Sequence, residues 1–378
     1  MLEIILLFSI IFIFYAYFGY FLVLSVLKKK NIFFMEEYYP KVSVIIAAYN
    51  EEDCIRETIE SILKSDYPRE SFEIWVSSDA STDRTDEVVK TLANSQLHFH
   101  RVKKRAGKVN AILEVENKAK GEILILIDAS SRFLETTIPR LVKYFSDASI
   151  GSVTGRKKII ESNSDVSNAD GLYWRYEAKL REFESQTGSS LIGCEGAITA
   201  VRKSLFKMDF PKTIAEDNAL GYQIYEQGYR NIYEPEAIIL EDASKNMKQE
   251  FLRKIRVISR EMQGMFYFYY LFNPIKHPMF FFQNISHRIC RWMVPFFLVF
   301  VFLGSIYSDY VLFQFLLLLQ ILFYGAALSG LFLPKKQRRF FLISIPFYFT
   351  TVNLAALFAW FFVFKDHAIF ERTERENS

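Results

Sequence analysis

The sequence predicts an α/β domain built on a mostly parallel sheet and flanked by membrane-spanning helices. Three observations lead there. Apolar residues concentrate towards the two ends of the chain, and charge concentrates in the middle. The middle alternates short apolar runs with amphipathic stretches, the order expected of strands and covering helices in a parallel sheet. The run Ile123–Ile127, closed by Glu122 and Asp128, is apolar throughout. A continuous apolar run that short fits a central strand covered on both faces.

The elements follow in order. Val42–Ala48 is an apolar strand. Glu51–Lys64 has helical spacing, with Ile55, Ile59, Ile62 and Leu63 on one face. Phe72–Ser77 is a second strand, and Ser81-Thr82-Asp83 can cap a helix reaching about Ala93. Leu97–Val102 is a third strand, Gly107–Ala119 a helix and Ile123–Ile127 the next strand. A helix starts near Glu135, and another spans Ala219–Gln227. No internal repeat or low-complexity linker interrupts the series.

The chain has 378 residues, room for two or three domains. Lys and Arg total 46 against 43 Asp and Glu, so no nucleic-acid footprint is present. Cys54, Cys194 and Cys290 match no zinc or redox spacing and read as unpaired thiols.

Leu2–Leu27 is nearly all apolar and is followed by Lys28-Lys29-Lys30. As a helix its apolar part reaches roughly 36 Å, enough to cross a bilayer. It lacks the basic start and small-residue cleavage site of a signal peptide, and so reads as a retained anchor. Met293–Tyr307, Tyr310–Leu333 and Phe340–Phe364 are three further candidates. Lys28–Lys30 and the cluster Lys335-Lys336-Gln337-Arg338-Arg339 both place the middle domain in the cytoplasm. The expected organisation is an anchor over 1–30, a cytoplasmic domain over 36–264, interfacial helices over 265–292, three spans within 293–364 and a polar tail over 365–378. The interfacial assignment rests on an aromatic-rich stretch broken by Pro274 and Pro278, with His287, Arg288 and Arg291. The protein is expected in the cell membrane of a bacterium or archaeon, in contact with its lipids.

Chemistry-bearing residues collect at predicted strand ends, where open α/β sheets bind ligands. Asp128, followed by Ala129-Ser130-Ser131, can hold a divalent cation and through it a diphosphate, or can cap the next helix. Tyr49-Asn50-Glu51 and Ser78-Asp79 end two other strands. Gly107-Lys108, close to Arg101, Lys103 and Lys104, reads on its own as part of a solvated basic patch. Glu216-Asp217 stands at a helix start, which suits both a general base and a plain helix-terminal acid pair.

In their order and spacing these motifs resemble the family 2 glycosyltransferases, the inverting group that includes cellulose, hyaluronan and poly-N-acetylglucosamine synthases. The segments concerned are VIIAAYNEE (44–52), SSDASTD (77–83), RAGKVNA (105–111), DASS (128–131), GCEGAITAVR (193–202) and AEDN (215–218). The resemblance implies a GT-A fold that binds a nucleotide-sugar. It implies that Tyr49, Asn50, Glu51 and Asp79 contact the nucleotide, with Asp79 accepting from a uracil imide. Lys108 and Arg256 would meet the diphosphate, and Asp128 with Ser130 would hold Mg²⁺ or Mn²⁺. Glu195, Gly196 and Arg253 would lie on the acceptor side. Asp217 would be the catalytic base, with Glu216 in reserve.

Two departures stand out. The family usually has a second acid where Ser130 stands. Around Arg253 and Arg256 no Trp completes the Gln-x-x-Arg-Trp pattern of processive synthases. The expected partners are a UDP-sugar donor and a saccharide or lipid-linked saccharide acceptor at the inner leaflet. The alternatives are a polyprenyl-phosphate glycosyltransferase, a degenerate non-catalytic assembly subunit, and a transporter, which the few intramembrane charges disfavour.

Overall fold

The computed structural model describes residues 1–92, 94–160, 168–187, 190–194, 196–211, 213–242, 247–333 and 340–364. Two compact units emerge. One comprises 29–160 with 181–242, the other 1–28 with 161–180 and 243–378.

The first unit is built on an eight-stranded sheet of described strands. They are β1 (Val42–Ala48), β2 (Phe72–Ser78), β3 (Leu97–Arg101), β4 (Ile123–Asp128), β5 (Arg132–Phe133), β6 (Ile150–Ile160), β7 (Ile198–Arg202) and β8 (Arg230–Asp242). The order is β3-β2-β1-β4-β7-β6-β8-β5. Pairing is parallel from β3 through β2 and β1 to β4. It turns antiparallel at β4–β7 and β7–β6, is parallel again at β6–β8, and ends antiparallel at β8–β5. The mostly parallel sheet expected from the sequence therefore describes one half, and the whole sheet is mixed.

Side-chain alternation makes two cores from one sheet. Val44, Ile46, Ile125 and Ile127 join Ile55, Ile59 and Ile62 of the Ile55–Leu63 helix, and Ile138 and Leu141 of the Thr137–Val142 helix. Ile45, Leu124 and Leu126 face the other way. They meet Ile112 and Val115 of the Lys108–Glu116 helix, and Leu220 and Ile224 of the Glu216–Glu226 helix. Each fully buried aliphatic side chain contributes about 1.5–3 kcal/mol relative to exposure. Burial on both faces is why Ile123–Ile127 carries no polar residue.

Among the described residues, the second unit contains four helices long and apolar enough to cross a membrane: Leu2–Val26, Pro278–Ile306, Val311–Phe332 and Phe341–Phe362. The amphipathic helix Met247–Tyr267 belongs to the same unit. The first two apolar helices each contain a π-turn, Tyr15–Gly19 and Ile285–Ile289. Their side chains meet where the Tyr15 and Ser286 hydroxyls bond at 2.7 Å. The Pro278–Ile306 helix begins earlier than the expected start at Met293 and absorbs residues assigned to the interface. Its early charges have partners: Arg291 bonds Glu177 at 2.9 Å, His287 lies 2.9 Å from the other Glu177 oxygen, and Arg288 lies 3.5 Å from Glu261. Counter-charges from distant segments lower the cost of carrying Arg288 and Arg291 on an apolar helix. The Lys335–Arg339 cluster and the tail after Phe364 lie outside the described residues.

Candidate active site

Register brings three strand ends together. β1 lies between β2 and β4, with Ala48 opposite Ser78 and Ala47 opposite Asp128. Tyr49, Asn50, Asp79 and Asp128 therefore share one carboxyl edge, where the sheet order reverses and ligands of open α/β sheets bind.

The two turns leaving β1 and β2 are locked to each other. Asn50 and Ala80 adopt left-handed backbone, with φ of 56° and 58°. Asn tolerates this region, while Ala there costs about 1–2 kcal/mol. Cross-turn bonds hold both: Asn50 Oδ1 accepts from the Thr82 amide at 2.8 Å, and the Asn50 amide donates to Ser81 Oγ at 3.2 Å. The Asn50 side chain is thus engaged within the protein. The Glu51 amide donates to Thr85 Oγ1 at 2.8 Å, and its carboxylate accepts from the Cys54 thiol at 3.1 Å. Burial pushes the Glu51 carboxyl above its ordinary range; the thiol bond pulls it down, and the negative charges of Asp128 and Asp83 add to the rise. Tyr49 lies under the Arg105 guanidinium, 3.7 Å from the ring centre.

Asp79 is 4% exposed. Its Oδ1 accepts from the Ala106 amide at 2.9 Å and its Oδ2 from the Gly107 amide at 2.7 Å. Gly107 has φ of 95°, a conformation that a Cβ would strain, and its carbonyl accepts the first bond of the helix that starts at Lys108.

Lys108 is the hub. Its ammonium donates to Asp128 Oδ1 at 2.6 Å and to the Gly196 carbonyl at 3.1 Å, and lies 3.6 Å from Glu216 Oε1. Burial works to lower the Lys108 pKa, but the charges of Asp128, Glu216 and Asp217 outweigh it and hold the ammonium above the ordinary lysine range. Glu216 and Asp217 open the Glu216–Glu226 helix, where acids favour the positive helix end. Asp217 Oδ1 accepts from the Asn218 amide at 2.7 Å.

The residues expected to hold a cation fit one only in part. Asp128 offers a partly exposed carboxylate and Ser130, two residues on, an exposed hydroxyl. Among the described residues, no group of three or more His, Cys, Asp or Glu forms a ready cation cage. A hard cation here would complete its six or more oxygen ligands from diphosphate and water. Cys194 lies in the same region, but burial drives its thiol up to about 12, which removes it as a nucleophile.

Three expected residues are not among those just described. Arg253 and Arg256 belong to the other compact unit, where Arg253 pairs with the Glu250 carboxylate at 3.0 and 2.9 Å. Glu195 lies outside the described residues. Sequence reasoning quoted Arg105 within the segment 105–111 and gave it no role of its own. The Gly107-Lys108 pair just after it was the available signal.

Residues 43–209 match the family model described as Glycosyl transferase family 2. A beta-monoglucosyldiacylglycerol synthase of Synechocystis sp. is 32% identical over 125 residues, covering 32% of this chain and 26% of that protein. A poly-beta-1,6-N-acetyl-D-glucosamine synthase of Staphylococcus epidermidis is 26% identical over 203 residues, covering 52% and 48%. The matched stretches thus span about a quarter to a half of those relatives. A mannosyltransferase from Pyrobaculum calidifontis, solved with GDP-Man and Mn²⁺, superposes with a TM-score of 0.72 at 23% identity, covering 94% of this chain and 99% of that one. At that identity the likeness shows the fold, which is GT-A-like. The chain carries a glycosyl transferase family 2 domain.

Proposed function

We propose that this protein is an inverting, membrane-bound glycosyltransferase. It moves a sugar from a nucleotide-diphosphate sugar, a UDP-sugar in our reading, to a hydroxyl of a saccharide or lipid-linked saccharide. The domain works at the cytoplasmic face of the membrane, in glycan or glycolipid synthesis. The observation that carries this reading is the gathering of Asp128, Glu216 and Asp217 around the Lys108 ammonium at the carboxyl edge of β1 and β4.

The arrangement supplies what an inverting transfer needs. The acceptor hydroxyl attacks the anomeric carbon from the face opposite the diphosphate. The bond from that carbon to the diphosphate oxygen breaks as the new glycosidic bond forms. Asp217 takes the hydroxyl proton, a contribution of roughly 10² to 10⁴-fold. Lys108 exchanges part of its bonding to Asp128 for the departing diphosphate, whose charge grows in the transition state. Asp128, helped by Ser130, would hold the divalent cation, which when bound neutralises diphosphate charge. Glu216 keeps Lys108 charged and placed.

The test is release of UDP from a panel of UDP-sugars by purified protein in detergent, with and without acceptor. Asp217→Asn should retain nucleotide binding and lose transfer by about 10² to 10⁴-fold. Near-normal transfer by that variant would remove Asp217 from the role. No release from any nucleotide-sugar by the native protein would overturn the reading.

A further inference from the structure

Between the first candidate span and the sheet, the chain carries a strip that the proposed chemistry does not use. The helix Leu2–Val26 is followed by Lys28-Lys29-Lys30 and then by Asn31-Ile32-Phe33-Phe34-Met35. The three lysines are exposed. Phe33 and Met35 are exposed too, at 60% and 50%. Large apolar side chains left open close together mark a surface that something covers. The strip is held by the domain on both sides of Phe33. Ile32 packs against the buried cluster that contains Val44 and Ile125. Phe34 sets its ring edge-on to Tyr144, with centroids 5.2 Å apart, and the Lys143 ammonium lies 4.0 Å from the centre of the Phe34 ring. The Met35 amide donates to Ser146 Oγ at 3.0 Å. Glu36, the first acid after the strip, lies 3.4 Å from the same Lys143 ammonium. The backbone is thus pinned while the Phe33 and Met35 side chains stay open.

The tether decides what covers them. Phe33 follows Val26, the last residue of the spanning helix, by seven residues. That length of chain reaches at most about 25 Å, which keeps Phe33 within range of the lipid headgroups. Lysines beside apolar side chains suit the boundary between anionic headgroups and acyl chains, where such side chains bury about 5–10 Å deep. A stable contact with a second copy of the chain needs a far larger face than this short strip offers. We propose that Asn31–Met35 is a membrane-inserting wedge: Phe33 and Met35 enter the leaflet against which Lys28–Lys30 lie. The domain is then held to the lipid surface at a second place, beyond its spanning helices. This holds whichever sugar the domain transfers.

The full chain in nanodiscs of mixed phosphatidylcholine and phosphatidylglycerol tests this. Cys54→Ser removes the partly exposed thiol, and the remaining Cys194 and Cys290 are buried. Phe33→Cys or Met35→Cys, each at an open position, then carries a single environment-sensitive fluorophore. Lipids brominated along their acyl chains should quench both labels, and iodide in the water should not. Iodide quenching with none from the brominated lipids would overturn the proposal. Protection from both quenchers would overturn it too, and assign the strip to a contact with a second copy of the chain. A further variant separates a wedge from a passive tether. Phe33→Glu puts a carboxylate where the ring enters, which is costly below the headgroups. With that change the label at Met35→Cys should lose its lipid quenching and open to iodide. Unchanged lipid quenching there would show that the span alone keeps the segment at the surface, and would refute insertion. None of these readouts depends on sugar transfer, so their failure is distinct from failure of the transferase reading.

Discussion

Gly196 and Asp217 are in close approach: a Cβ added to Gly196 would stand 2.8 Å from Asp217 Oδ2. The Gly196 carbonyl also accepts from the Lys108 ammonium at 3.1 Å. One residue with no side chain therefore touches both the acid proposed as base and the cation proposed for the diphosphate.

Gly196→Ala tests that spacing. The atom in the way is the end of a side chain, so the carboxylate yields before the backbone does. The fold should persist, with a thermal midpoint near the native value. Transfer should fall by about 10²-fold, the effect of displacing a reacting group by about 1 Å. Native-level transfer by the alanine variant would show that Asp217 placement does not limit the reaction.

The cation site gives a second prediction. Asp128→Ala should abolish metal-stimulated turnover, because it removes the carboxylate that the resemblance places on the cation. Ser130→Asp adds a hard anionic ligand and should tighten Mg²⁺ or Mn²⁺ binding. Titration of Mn²⁺ by electron paramagnetic resonance reads this directly. Full turnover in excess chelator would show that cationic side chains carry the diphosphate charge without a metal.

Two half-buried acids should respond to pH in opposite directions. Glu51 is raised above its ordinary value, chiefly by burial. The folded protein therefore binds a proton there more readily than the unfolded chain. Its ionisation costs stability once pH has risen through the folded value, and that cost fades as pH falls back towards the unfolded value near 4.5. Glu51→Gln should accordingly melt higher than native at neutral pH, with the gap closing on acidification. Glu73 is the reverse case. Burial raises it, but bonds from the Lys120 amide and Ser43 hydroxyl, both 2.6 Å, win and leave it lowered. Its stabilisation is present above about 4.5 and is lost as pH falls through the folded value. Glu73→Gln should melt lower than native at neutral pH and converge with it in acid. Thermal melts of the ligand-free protein across pH check both signs.

Orientation in the membrane supplies the last prediction. Lys28–Lys30 and Lys335–Arg339 flank apolar segments and favour the cytoplasmic side. Reporters fused after Lys30 or Arg339 should read inside, and one at Ser308 outside. An outside signal after Lys30 would overturn the cytoplasmic placement of the domain.

Much of the first unit was legible in the residues because its signals are local. Val42–Ala48 is a strand with the bounds its apolar run suggested. Ile55, Ile59 and Ile62 share a helix face as their spacing required. The four long apolar segments are helices. The far half of the sheet was not legible. β6 contains Gly151 and Gly155, and β8 contains Pro235 between two acids, residues that weaken a strand pattern. They stand as strands because they pair with each other, through register shifts after Ile150 and after Thr154. The candidate site divides in the same way. Asp79 and Asp128 were legible as strand-end acids, and the resemblance grouped them with Tyr49, Lys108 and Asp217 in one site. Only the tertiary structure decided that Asp79 bonds the Ala106 and Gly107 amides, that Arg105 covers Tyr49, and that Lys108 reaches Asp128, Gly196 and Glu216. Periodicity and strand-end chemistry are carried by neighbours in sequence. An ion pair or a stacked ring is chosen among groups that meet only once the chain has closed on itself.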